Sequence, residues 1–328
     1  MSTTIFARSV TAAVFVGSLL YGCGGSPTIT PPSASVNLSQ LSQVASPDKY
    51  IFGKWMYTAQ YYGEDLTIYK RQGLSLAFYK TLHDPNIASP LGTVATPNGW
   101  WYVANAGHSN VLVYRSTGHG PVGSGTTLHD DGQVPVNVAV NPSRRLVAVS
   151  NFSTVSGGAG SVSVYLDRQA EPSRTLTFGS NPLQGTGVAI DRDGNCYWAF
   201  NDPKTETGSI VEFAGCNGTG TVVAQGIGNI QGLALDQHRD LYYVDETTGT
   251  NNGVWKCTGP SHCKMFTKPN AFILPVNINF DMKQKYLWVA DAAGYIDAVD
   301  KSGNVVYTTS AVGGPTDPPL GIAPAPGG

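Results

Sequence analysis

Six polar residues, Gln60, Asn105, Asn151, Asn201, Glu246 and Asp291, each close a short apolar run at about the same place in a repeated unit. Asn137 and Asn277 stand at a second repeated place, otherwise held by Gly92, Gly187, Gly232 and Gly321. If the units are arranged about one axis, the two sets meet on one face. A ring of amides with two carboxylates offers oxygen ligands to a hard cation, calcium or magnesium, or hydrogen bonds to a polyol. Asn and Asp at strand ends also bond nearby backbone N–H groups and cap the following loop, so the same residues have a structural reading. His108, on the loop after Asn105, is the best-placed candidate for a general base, because imidazole titrates near neutral pH. It reads equally as a solvated loop histidine.

Other constellations are weaker. The segment 191–195, Asp-Arg-Asp-Gly-Asn, begins like a calcium loop, but no glutamate follows at the required spacing. It reads as a hairpin turn, as does 300–304, Asp-Lys-Ser-Gly-Asn. No Gly-x-Ser-x-Gly elbow is present to support serine hydrolysis. No residue can be assigned a catalytic role from the sequence.

The elements that would position these residues are strands. Segments 66–69, 111–114, 162–165, 210–213, 254–257 and 296–299 are near-copies of one pattern, and their last residues are 45, 51, 48, 44 and 42 apart. That period is the length of a four-stranded propeller blade. Each unit opens with a short strand bearing Gly or Asn, whose small side chain suits a crowded centre. A tight turn and an aromatic strand follow, such as Trp101-Tyr102-Val103 or Leu287-Trp288-Val289. Aromatic and β-branched content between turn signals argues strand, with almost no helix. Six copies predict an all-β, six-bladed β-propeller.

The first unit, from Tyr50 to about Thr81, lacks a clear innermost strand, and Pro319-Leu320-Gly321-Ile322-Ala323 repeats the inner-strand pattern after the sixth unit. The C-terminal strand is therefore expected to pair with the first blade and remove the open sheet edge. Segment 35–41 is a competing candidate for that strand. Thr-Leu-His-Asp recurs at 81–84 and 127–130, just before two inner strands, as duplication would leave it.

Ahead of the repeats, Arg8 and an apolar run at 10–20 read as an export signal over residues 1–22. The run is too short to span a bilayer. Residues 24–47 carry no charge and are rich in Ser, Pro, Thr and Gly, so 23–47 reads as a flexible tether and 48–328 as the propeller. With 20 Lys and Arg against 22 Asp and Glu, the net charge is −2, and no basic cluster is present. This speaks against nucleic-acid binding and electrostatic membrane docking. Export places the remaining cysteines where thiols oxidise. Cys257 and Cys263 flank a turn, while Cys196 opens one strand and Cys216 closes the next, so bridges 196–216 and 257–263 are expected.

Leu20-Tyr21-Gly22-Cys23 resembles the lipobox of bacterial lipoproteins, which implies acylation of Cys23 and a membrane-anchored domain on the periplasmic or cell-surface side. Gly-Val-Ala-Ile-Asp at 187–191 and Gly-Leu-Ala-Leu-Asp at 232–236, each followed by a turn and an aromatic strand, resemble NHL-type repeats. The likeness extends more loosely to the senescence-marker/gluconolactonase propellers and to virginiamycin B lyase. It implies a disc with a central channel and, in the enzymatic relatives, a divalent metal held by Glu, Asn and Asp at its top. Gln60 stands where the lactonase glutamate of the first blade would be, and carries no charge. The expected role is a monomeric binding or interaction module with an envelope protein or small molecule as partner. A metal-dependent lactonase, other hydrolase or lyase is the alternative.

Overall fold

The computed structural model describes residues 55–117, 120–179, 183–247, 252–258, 262–309, 312 and 317–325. The chain divides into units 1–50 and 51–328, and everything below concerns the second. The signal segment, Cys23 and the tether lie outside the described residues.

Three strands open the domain: β1 (Trp55–Gln60), β2 (Asp65–Gln72) and β3 (Ser75–Leu82). The second unit comprises β4 (Pro90–Ala95), β5 (Trp100–Asn105), β6 (Asn110–Thr117) and β7 (Gly120–His129). The third holds β8 (Gln133–Asn141), β9 (Leu146–Thr154), β10 (Ser161–Leu166) and β11 (Arg174–Leu176). Then come β12 (Gln184–Ile190), β13 (Cys196–Asp202), β14 (Thr207–Phe213) and β15 (Thr221–Ile227). The fifth unit is β16 (Ile230–Leu235), β17 (Leu241–Asp245), β18 (Gly253–Cys257) and β19 (Cys263–Met265). The sixth is β20 (Pro275–Phe280), β21 (Leu287–Asp291), β22 (Tyr295–Val299) and β23 (Val305–Thr308), after which β24 (Pro319–Pro324) remains.

These strands form six four-stranded antiparallel sheets, and the first has the order β24-β1-β2-β3. Tyr57 pairs with Ala323 and Thr58 with Ile322. The C-terminal strand thus supplies the missing innermost strand of the first blade, as its repeat pattern predicts. The innermost strands touch in cyclic order, β24, β4, β8, β12, β16, β20 and back to β24, so the sheets close into a propeller. Among the described residues there is no α-helix, only single 3₁₀ turns at Ala106–His108 and Ala214–Cys216.

Both faces of each blade are covered, which explains why the strands read as nearly continuous apolar runs. In β5, Trp101 and Val103 turn toward the first blade while Tyr102 turns toward the third. The core is accordingly six separate clusters, one for each pair of neighbouring blades. Trp101, Trp198 and Trp288, all in second strands, are fully buried, the first two against the preceding blade and Trp288 against the following one. Tyr57 stacks on Trp101 at 4.3 Å between ring centres across the first interface. Met56, Tyr69 and Ile322 pack with Trp288 across the last one, so the closing strand is part of the core.

The small inner-strand position is explained by close approach. A Cβ on Gly92 would lie 2.7 Å from the Asn137 Cα, and one on Gly232 would lie 2.9 Å from the Asn277 Cα. Each of these residues faces the neighbouring inner strand. Deeper in the ring, Asn279 Nδ2 donates to the carbonyls of Ile322, 2.7 Å, and Thr93, 3.0 Å, tying three blades together at the centre.

Cys196–Cys216 and Cys257–Cys263 are bridged, with Cα separations of 4.7 and 4.0 Å. The first pins the 3₁₀ turn after β14 to the start of β13, and the second joins directly paired residues of β18 and β19. Two bridges fit maturation in an oxidising, exported compartment. No helix among the described residues is long and apolar enough to cross a membrane.

Candidate functional site

The upper face is the one at which inner strands begin and second strands end. In all six sheets a residue at or near the start of the inner strand sits opposite one polar residue near the end of the second strand, and the register shifts within two pairs of it. The paired residues are Gln60 with Pro319, Asn105 with Pro90, Asn151 with Pro135, Asn201 with Gln184, Asp245 with Ile230 and Asp291 with Pro275. The fifth-blade member is therefore Asp245, and Glu246 is its neighbour outside the repeat. Aligning Tyr243-Val244-Asp245 with Val289-Ala290-Asp291 reveals this in the sequence, whereas choosing the longer carboxylate side chain misses it.

These side chains are engaged locally. Asn105 is fully buried; its Oδ1 accepts the Ala88 N–H at 2.7 Å, and its Nδ2 donates to the Asn86 carbonyl and Asn110 Oδ1. Asp291 accepts three backbone N–H groups, from Ile273, Leu274 and Ala293, at 2.7 to 3.0 Å. Burial raises its carboxyl above the usual range, and those three bonds oppose the rise. Asn201 holds the entry to the fifth blade through Ile230 and Asn229. Asn151 donates to Ser161 and Ser163, and Gln60 accepts from Thr67 Oγ1. Each clamps a loop or a neighbouring strand, so the local geometry has the form of a cap.

The remaining candidates make contacts of their own. Asn277 Oδ1 faces the Ile322 N–H at 3.4 Å, and Asn137 Oδ1 accepts the Val138 N–H at 2.8 Å. His108 is exposed on its 3₁₀ turn, with Nδ1 3.0 Å from the Asn86 carbonyl. The repeated Thr-Leu-His-Asp is part of the same loop architecture. Asp84 accepts from Asn86 and from the Tyr114 hydroxyl, while Asp130 accepts from the Ser163 hydroxyl at 2.6 Å. Burial raises the Asp130 carboxyl to about 6. The turns at 191–195 and 300–304 are hairpins closed by their first aspartate, which accepts N–H bonds two and four residues on.

Glu246 is the chemically distinctive group of this face. It is buried, and its Oε2 accepts from Gln231 Nε2 at 2.7 Å and Asn229 Nδ2 at 3.1 Å. Burial pushes its carboxyl up to about 7; the Gln231 bond opposes the rise, and the charges of Asp245 and Asp291 add to it. Gln231 belongs to the innermost strand of its blade. The equivalent inner-strand residues Leu91, Val136, Thr186, Val276 and Leu320 are half-buried like it, so the surface they share is mainly apolar. A carboxyl titrating near neutrality beside such a surface is suited to hydrogen bonding or proton exchange with a small ligand. Among the described residues, no three His, Cys, Asp or Glu side chains converge in a metal-binding arrangement.

No protein-family model matches the chain, and no curated protein sequence matches it. Its structure is similar to that of hydrazine synthase from Kuenenia stuttgartiensis, with a TM-score of 0.58 and 13% identity over 93% of this chain and 94% of that one. It is also similar to the PQQ-bound form of an aldose sugar dehydrogenase from Streptomyces coelicolor, with a TM-score of 0.53 and 14% identity over 72% and 85% of the two chains. Regucalcin, a calcium-binding protein from Agrobacterium tumefaciens, has a TM-score of 0.48 and 13% identity over 68% and 74%. At these identities the likeness is one of fold.

Proposed function

We propose that this chain is an exported lipoprotein, anchored through Cys23, whose propeller acts as a binding module for an envelope protein or a small molecule. The observation that carries this reading is the commitment of the strand-end amides and carboxylates to loop clamps. These bonds make the upper face a rigid frame for recognition, and a preorganised surface binds without a large ordering cost. In this reading Glu246 and the exposed His108 meet the ligand, and Asn105, Asn137, Asn151, Asn201, Asn277 and Asp291 form the frame of the same face that holds the loops around it. The lipid anchor is tested by Cys23→Ser, which should release the protein from membranes; unchanged membrane retention would refute it.

A second reading, an enzyme acting on a small molecule at the top of the channel, is favoured by one observation: the buried Glu246 carboxyl with its value near 7. Calcium or magnesium is the cofactor this reading would use. Melting curves with and without each ion, in the wild type, Asp291→Ala and Glu246→Ala, separate the two. A metal-dependent rise in melting temperature lost in both variants supports the enzyme, and no rise supports the binding module. Lactonase assays then test the chemistry.

A further inference from the structure

The lower face, opposite Glu246, carries a cleft of about 230 Å³ between the fifth and sixth blades, the scale of one small molecule. Its apolar part is built from Tyr242, Phe266, Phe280, Leu287 and Val299. Phe266 and Phe280 both meet the Tyr242 ring edge-on, at 5.2 and 5.0 Å between centres. Two hairpin turns, at 236–240 and 281–286, and the turn at 300–304 bring polar groups to its rim.

The state of those polar groups selects the ligand. The carboxylates are occupied. Asp236 accepts N–H bonds from His238 and Asp240 and faces the Tyr242 hydroxyl, and Lys256 lies 2.8 Å from Asp240 and 3.9 Å from Asp236. Asp300 accepts from Ser302 and Asn304 in its own turn. The donors are less engaged. Lys301 and Lys285, whose Nζ lies 5.1 Å from the centre of the Tyr286 ring, form no ion pair among the described residues, and Gln284 accepts the Gln237 N–H at 2.6 Å with its Oε1, which leaves its amide N–H groups as donors. A cleft whose acceptors are satisfied and whose donors are open, above an aromatic wall, complements an acceptor-rich ligand with a flat apolar body.

We propose that this lower-face cleft binds a small organic anion with a planar apolar body, an aromatic carboxylate, with Lys285, Lys301 and Gln284 meeting the carboxylate and Tyr242, Phe266 and Phe280 the ring. The site lies on the face opposite Glu246 and does not depend on the role proposed for the upper face. Isothermal titration of the full-length protein with naphthalene-2-carboxylate and with naphthalene-2-carboxamide tests it. The carboxylate binds saturably, and the carboxamide binds at least about tenfold more weakly, because charge-assisted bonds are the stronger kind. Lys285→Ala/Lys301→Ala, two exposed positions, weakens carboxylate binding by a similar factor without changing the melting temperature, while Glu246→Gln leaves it unchanged. Equal affinity for acid and amide, binding unaffected by the double substitution, or no heat of binding with millimolar carboxylate overturns the proposal.

Discussion

Glu246→Gln should change the pH dependence of stability in a calculable way. The glutamate carboxyl moves from its ordinary value of 4.5 to about 7 on folding. Because the folded value is the higher one, the native state holds the proton more tightly than the unfolded chain does. The stabilisation this provides is complete below pH about 4.5 and is lost as pH rises through about 7. Each tenfold change in proton affinity is worth about 1.4 kcal/mol, so the ionised carboxylate costs the fold about 3 kcal/mol at pH 8 relative to its acid form. Glutamine keeps an acceptor oxygen for Gln231 and Asn229 and carries no charge at any pH. Urea denaturation of both proteins between pH 4 and 9 reads the effect as a difference between two curves. The difference should be flat below pH about 4.5, shift by about 3 kcal/mol in favour of the variant between 4.5 and 7, and be flat again above. Asp65, Asp130 and Asp297, each raised to about 6 chiefly by burial, make both proteins lose stability in the same region, and the subtraction removes them. A difference independent of pH, or one that grows toward acid, would refute the account of this carboxyl.

Three further outcomes follow from the fold. Gly321→Ala drives a Cβ into the Leu91 carbonyl of the next inner strand, and overpacking of this kind should cost about 1 to 3 kcal/mol, read as a fall in melting temperature. Asn105→Ala removes three hydrogen bonds from a fully buried clamp and leaves the Ala88 N–H without its partner, a loss of about 1 to 3 kcal/mol in denaturant titration. Replacing Cys196 and Cys216 by serine should cost about 3 kcal/mol, and replacing Cys257 and Cys263 about 2 kcal/mol, because the loops they close span 20 and 6 residues. Full reduction of the wild type should reproduce the sum of the two.

The blade count was legible in the sequence because each blade repeats the same physical problem. An inner strand must pass close to its neighbours, so glycine or asparagine recurs there. A second strand covered on both faces must be apolar and aromatic, so Trp101, Trp198 and Trp288 recur as well. Closure was legible for the same reason, since Leu320-Gly321-Ile322 repeats a pattern whose partners in the first blade had no inner strand of their own. The disulfides followed from strand order, because antiparallel pairing brings the start of one strand beside the end of the next.

What the side chains at the strand ends do was decided by tertiary structure. An asparagine that ligates a cation and one that clamps a loop look alike in a sequence; Asn105 is the latter by geometry because the Ala88 N–H, 17 residues away, arrives at its Oδ1. The register of β16 against β17 selects Asp245 over Glu246 as the repeat member, and only then does Glu246 stand out as a buried acid held by Gln231. The lower-face cleft depends on residues brought together from two blades, Tyr242 from one and Phe280 from the next, so no local window of sequence contains it. Periodicity encodes how often a strand must be covered, whereas a site depends on which particular atoms meet once the covers are in place.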